Sequence, residues 1–197
     1  ARVAALQGHK VILCEKNEAL GGEVIYASIP PYKEELCGLV DYYRTQMRVL
    51  GVDVRLNTFV DRQYIEDLKP DAVIIATGAR PNNPSIAGAD SRHVFTVKEV
   101  LSQPSIIDEK KVVIVGGGTV GAEIAELLWA RDKEVTVLEM SRGIAKDMGL
   151  MLRLDFRTRI SKASPDCFRR SRSPYHGAAR AAARTVHFHA IALAVNR

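Results

Sequence analysis

The apolar positions of this chain change period several times, and each change marks an element. Val11-Ile12-Leu13-Cys14 is a continuous apolar run closing on Glu15 and reads as a buried strand, after the end of a helix and a turn at Gly8. From Lys33 to Leu50 the apolar residues Leu36, Leu39, Val40, Tyr43, Met47 and Leu50 fall at helical spacing, with Gly51 where a helix stop belongs. Val52-Asp53-Val54-Arg55-Leu56 alternates like a half-buried strand. Ala72-Val73-Ile74-Ile75-Ala76 is a second unbroken apolar run that predicts a buried strand ending at Thr77-Gly78, and Pro81 and Pro84 then force a turn-rich connection.

From Lys110 the pattern becomes strand, glycine loop, helix and strand within about thirty residues, the length of one βαβ unit. Lys111-Val112-Val113-Ile114-Val115 leads into Gly116-Gly117-Gly118-Thr119-Val120-Gly121, then a helical period over residues 122–130, then Val135-Thr136-Val137-Leu138-Glu139. Residues 7–15 match residues 131–139 in pattern, so two related nucleotide-binding units are expected. In that register the glycine loop of the first unit falls before Ala1, which implies a truncated first unit.

A G-x-G-x-x-G pattern alone is weak, but here it follows an apolar strand, opens a helix and precedes an acid at the end of the next strand. Gly116 suits a tight turn, Gly118 the close approach of a diphosphate, and Gly121 the packing of helix on sheet. Unpaired amides at the positive end of the helix then receive the phosphates. Glu139 is placed to accept hydrogen bonds from the adenosine ribose hydroxyls and to repel a 2′-phosphate, which favours NADH over NADPH, although Arg142 nearby could pair with such a phosphate. The plainer alternative is that the glycines only tighten a turn. Glu15 occupies the repeat-equivalent position, with Lys16 beside it and Gly21-Gly22 offering close backbone approach to phosphate or flavin; taken alone, Glu15 reads equally as an exposed strand-end carboxylate. Glu123 either lies near the nicotinamide or is a first-turn acid favoured by the helix dipole. His9 and His93 read as surface or turn residues, and Trp129, Tyr42 and Tyr43 as core or interface residues.

Composition adds mainly exclusions. Residues 1–163 hold 22 basic and 22 acidic side chains, so the formal charge of +5 comes from the tail and offers no basic groove for nucleic acid. No apolar run has the length of a membrane span and no signal peptide opens the chain, so a cytoplasmic protein is expected. Cys14, Cys37 and Cys167 form no C-x-x-C; buried thiols are expected rather than a metal site. From Ser164 the text changes to six Arg without Lys, one Asp without Glu, eight Ala and three of the five His, which reads as a disordered or out-of-frame tail.

Three segments together resemble a family of two-dinucleotide-binding-domain flavoproteins: Glu15-Lys16 through Gly21-Gly22, residues 69–81 (KPDAVIIATGARP), and the GGGTVGAE loop from Gly116. Over residues 1–163 the chain is most similar to the C-terminal half of the old yellow enzyme-like NADH:flavin oxidoreductases, the group of 2,4-dienoyl-CoA reductase, 2-enoate reductase and trimethylamine dehydrogenase. The resemblance implies an α/β, Rossmann-like fragment. Residues 1–105 are a partial FAD domain, 106–163 an NAD-binding βαβ unit and 164–197 the tail. It further implies that Glu15, Gly21, Gly22, Val60, Ala76, Thr77 and Gly78 line FAD, and that Gly116, Gly118, Gly121 and Glu139 bind NAD, with Gly117, Thr119 and Val120 completing the loop. In that family NADH reduces FAD, and electrons pass through a 4Fe-4S cluster to FMN in an N-terminal barrel that reduces an activated alkene. Neither the barrel nor cluster cysteines occur in these 197 residues, so no catalytic residue is assigned, the small-molecule acceptor is open, and the chain alone is expected to be inactive and to bind FAD poorly. A disulfide reductase of the glutathione reductase type is disfavoured, since Glu23-Val24-Ile25-Tyr26 lacks a cysteine pair. The small subunit of glutamate synthase shares the architecture and stands as an alternative, as does a dinucleotide-sensing module without hydride transfer; oligomerisation is left to the full-length protein.

Overall fold

The computed structural model describes residues 1–79, 86–141, 143–163, 168–170 and 190–191. Expectations for Pro81, Pro84, Arg142, Cys167 and most of the tail fall outside these residues. The chain divides into two compact units, residues 1–79 and 80–197. The division precedes the 105/106 boundary read from the sequence, and residues 97–107 group with the second unit, where Val100, Leu101 and Ile107 are buried.

In the first unit α1 (Arg2–Leu6) leads to β1 (Ile12–Cys14), which pairs in parallel with β2 (Asp53–Arg55) in the register Ile12 to Asp53. Between them lie α2 (Glu23–Ala27) and α3 (Leu36–Val49), and α4 (Arg62–Leu68) follows, capped by the Asp61 carboxylate accepting from Tyr64 N at 2.8 Å. Helix α3 stops where the sequence indicates, with Gly51 at φ +65°. Its buried line is narrower than its period suggests. Val40 and Met47 are buried against α2 and α1, whereas Leu39 and Tyr43 are exposed, because those short helices cover only one strip of the cylinder.

Residues 72–76 are not a strand, contrary to the apolar run. Ile74 and Ile75 are 81% and 83% exposed, and among the described residues no strand pairs with them, so the run lacks the ladder that a buried strand needs. A second correction concerns the thiols. Cys37 is exposed, its Sγ donating to Ser28 Oγ at 3.2 Å, and Cys14 is half-buried beside the Tyr64 hydroxyl. Tyr42 and Tyr43 are exposed and stack edge to face, so they are not core.

In the second unit α5 (Val97–Ser102) starts in a capping box, Thr96 and Glu99 each bonding the other's backbone amide, and a 3-10 turn (Pro104–Ile106) follows. Then come β3 (Lys111–Val115), α6 (Thr119–Trp129), β4 (Glu134–Glu139) and α7 (Leu150–Ala163). Strands β3 and β4 are parallel with Val112 opposite Val135 and Ile114 opposite Val137. These four side chains are buried with Ile124, Leu127 and Leu128 of α6, so the βαβ unit closes over its own core. Within the tail, β5 (Phe168–Arg170) pairs with β4 and β6 (Ala190–Ile191) with β3, both parallel, giving the order β5-β4-β3-β6. Helix α7 packs Phe156 and Ile160 onto Ala122 and Ala145, and the Arg159 guanidinium holds the Glu126 carboxylate.

Candidate functional site

The site is built at the carboxyl end of β3, where the chain reverses into α6. Gly116 sits at φ +103°, a conformation that L side chains rarely adopt, and its amide donates to Leu138 O at 2.9 Å, which ties the turn to β4. A Cβ on Gly121 would meet Gly116 O at 2.0 Å, so the first turn of α6 can lie against the loop only because residue 121 has no side chain. Gly117 is constrained as well: a Cβ there would lie 3.0 Å from Glu139 Cβ and 3.2 Å from Ile144 Cγ1. Gly118 is the N-cap of α6. Thr119 and Val120 open the helix and are half-buried, and Glu123 lies one turn in, also half-buried.

Glu139 stands on the same side as the glycine loop. Its Oε2 accepts from Gly117 N at 2.7 Å and its Oε1 from Ser141 N at 2.6 Å. Partial burial raises the pKa of this carboxyl, but the amide hydrogen bonds from Ser141 and Gly117 together outweigh it and hold the group below the usual glutamate value. A charged acceptor is therefore fixed against the glycine bend.

One group in this site had no signal in the sequence. Asp147, on the loop after β4, accepts from Thr119 N at 2.8 Å, and its Oδ2 lies 3.3 Å from where a Gly118 Cβ would be. The loop reaches there because Ala145 is fully buried and its amide donates to Gly117 O at 2.7 Å. No local period announces a contact spanning 28 positions.

In the first unit the repeat is visible in atomic detail. Glu15, at the end of β1, accepts from Asn17 N at 2.8 Å, as Glu139 accepts from the amide two residues after it. The loop after β2 is held alongside by Thr58 N donating to Glu15 O at 2.9 Å. Gly21 and Gly22 differ: a Cβ on Gly21 would strike Ile25 at 2.8 Å, whereas Gly22, at φ +47°, faces open space. Gly21 therefore serves packing, and Gly22 offers its backbone. Lys16 and Val60 are exposed. Ala76, Thr77 and Gly78 form an exposed non-strand stretch with Gly78 at φ +73°. The structure thus brings Gly116, Gly117, Gly118, Thr119, Gly121 and Glu139 together in one place, and Glu15 with the residue 57–58 turn in another.

Among the described residues no group of three His, Cys, Asp or Glu side chains could hold a metal, and no helix is long and apolar enough to cross a membrane.

Residues 1–162 match the family described as pyridine nucleotide-disulphide oxidoreductase. The chain is 41% identical over 144 residues to cinnamate reductase of Clostridium sporogenes, covering 73% of this chain and 21% of that protein. It is 38% identical over 165 residues to an NADH oxidase of Thermoanaerobacter brockii, covering 82% of this chain and 25% of that one. A 2-naphthoyl-CoA reductase, solved in complex with 2-naphthoyl-CoA, superposes with a TM-score of 0.85 at 28% identity, covering all of this chain and 31% of that structure. The chain therefore spans between a fifth and a third of the length of these proteins.

Proposed function

The chain belongs to the pyridine nucleotide-disulphide oxidoreductase family, and from that premise we propose that it is the dinucleotide-binding part of a longer NADH:flavin oxidoreductase of the alkene-reducing kind. The observation that carries this reading is the 2.7 Å contact from Gly117 N to the Glu139 carboxylate, which sets a fixed negative charge against a glycine bend at a helix start. The residues present fit an NAD: Gly116 and Gly121 allow a close bend, α6 presents amides at its positive end, and Glu139, bonded to the bend, is the acceptor proposed for the adenosine ribose hydroxyls. Its charge disfavours a 2′-phosphate, so NADH is preferred over NADPH.

For the first unit the fit rests on Glu15 at its strand end and on the open backbone of Gly22, which together suit the ribose and diphosphate side of FAD. Lys16, Val60 and Ala76-Thr77-Gly78 are proposed to border the same cofactor. When bound, nicotinamide and flavin supply the hydride donor and acceptor; the protein's share is to position them and shape their electrostatics. Val120 and Glu123, on the first turns of α6, are the side chains proposed to approach the nicotinamide half. The domain roles follow: flavin on the first unit, NADH on residues 106–163 of the second, and a small-molecule acceptor served by parts of the longer protein, in the cytoplasm where NADH is available.

Expression of the complete gene tests the reading. A yellow protein with flavin absorbance that oxidises NADH is expected, and loss of NADH binding in a Gly118→Leu variant with flavin retained ties the activity to the loop. A colourless full-length protein that leaves NADH untouched in the presence of alkene and artificial acceptors refutes it.

A further inference from the structure

The amide that a diphosphate needs at the start of α6 is already taken. Thr119 N is the first amide of an 11-residue helix, one of the donors that no carbonyl within the helix can satisfy. Asp147 Oδ1 accepts from it at 2.8 Å, while Oδ2 stands 3.3 Å from the point where a Gly118 side chain would begin. A carboxylate of the protein itself therefore borders the space left by the missing side chain of Gly118.

We propose that Asp147 sets the affinity of this site for NADH by acting as a built-in competitor for the Thr119 amide, and that its side chain swings out when a diphosphate enters. The proposal rests on the dinucleotide reading above. Sharing one N–H between two acceptors weakens both bonds, and a carboxylate and a diphosphate at hydrogen-bond range of the same amide repel each other. The exchange needs no refolding. Ala145, two residues earlier, is buried and bonded to Gly117 O, and Met148 packs on the α6–α7 core, so the backbone on either side is anchored while the Asp147 side chain is exposed and can leave Thr119 N by rotation about its own bonds.

A carboxylate at a helix start is stabilising by an amount that corresponds to an affinity change of about two- to five-fold. Asp147→Ala, which removes the competing acceptor, is therefore expected to tighten both NADH and inorganic pyrophosphate by about that factor, measured by calorimetric titration of the 197-residue chain. Thr119→Pro supplies the control. Proline is at home in the first helical position, Gly118 already has the extended backbone that proline demands of its predecessor, and the substitution deletes the contested N–H together with the threonine hydroxyl. In that background Asp147→Ala is expected to give no gain.

Equal or weaker NADH binding by Asp147→Ala, with wild-type binding intact, overturns the proposal and leaves the dinucleotide reading standing. A full gain that persists beside Thr119→Pro also overturns it, since the effect is then charge at a distance rather than a shared amide. If neither probe binds wild type or variant, the dinucleotide reading and the proposal fall together. Asp147→Gly, read in the same way, replaces the alanine variant should that one not fold.

Discussion

Gly121 shows how far one side chain can decide a site. Its absent Cβ leaves room for Gly116 O, which would otherwise lie 2.0 Å away, and both neighbours are backbone that cannot swing aside. Gly121→Ala is expected to cost about 3 kcal/mol or more, since overpacking here displaces a helix rather than a rotamer; a urea midpoint for the chain measures it. Glu139 makes a different kind of prediction. Its folded pKa lies below that of an unfolded glutamate, so the stability it contributes is present in full above about pH 4.3 and drains away as the pH falls through the depressed value. The protection of the Gly117 amide against hydrogen exchange, taken relative to its intrinsic rate at each pH, should fall over that window in the wild type and show no such step in Glu139→Gln. Glutamine offers one carbonyl to two donating amides, so Glu139→Gln is also expected to lower stability by about 1 kcal/mol, a figure reduced for the partial exposure of the group.

Elements in this chain form where a local period and a tertiary partner agree. Strands β3 and β4 have both: unbroken apolar runs that pair with each other and receive α6. Helix α7 depends far more on its partner, because its apolar residues lie all around the cylinder, with Leu150, Met151, Leu152 and Leu154 exposed and only Phe156 and Ile160 seated among the described side chains. Phe156→Ala is therefore expected to loosen α7 from α6 at a cost of about 3–5 kcal/mol. Arg159→Ala, which removes a partly solvated ion pair with Glu126, should cost about 1 kcal/mol or less. Thermal melts of the two variants decide whether packing or charge holds the helix.

Across the whole chain, two units carry the two halves of one repeated design, each ending a strand in a glutamate whose carboxylate accepts the amide two residues on. The run at residues 72–76 departs from the design, with Val73, Ile74 and Ile75 exposed. Such an apolar edge is a liability for association. The double variant Ile74→Lys, Ile75→Lys is expected to raise the solubility of the chain while leaving its melting temperature within about 1–2 °C, as surface changes within ±0.5 kcal/mol do; a matching fall in melting temperature would show that these side chains are buried in solution. Sequence alone determined the strands at Ile12–Cys14, Lys111–Val115 and Glu134–Glu139, the glycine bend and the repeat-equivalent acids, because each is written in spacings of a few residues that backbone sterics and the 2.0 and 3.6 periods translate directly. Tertiary structure decided that the apolar run before Ala76-Thr77-Gly78 pairs with no strand among the described residues, that Gly21 packs while Gly22 stays open, and that Asp147 reaches the Thr119 amide. Those outcomes depend on which distant surface arrives beside a residue, and neither period nor propensity encodes that locally.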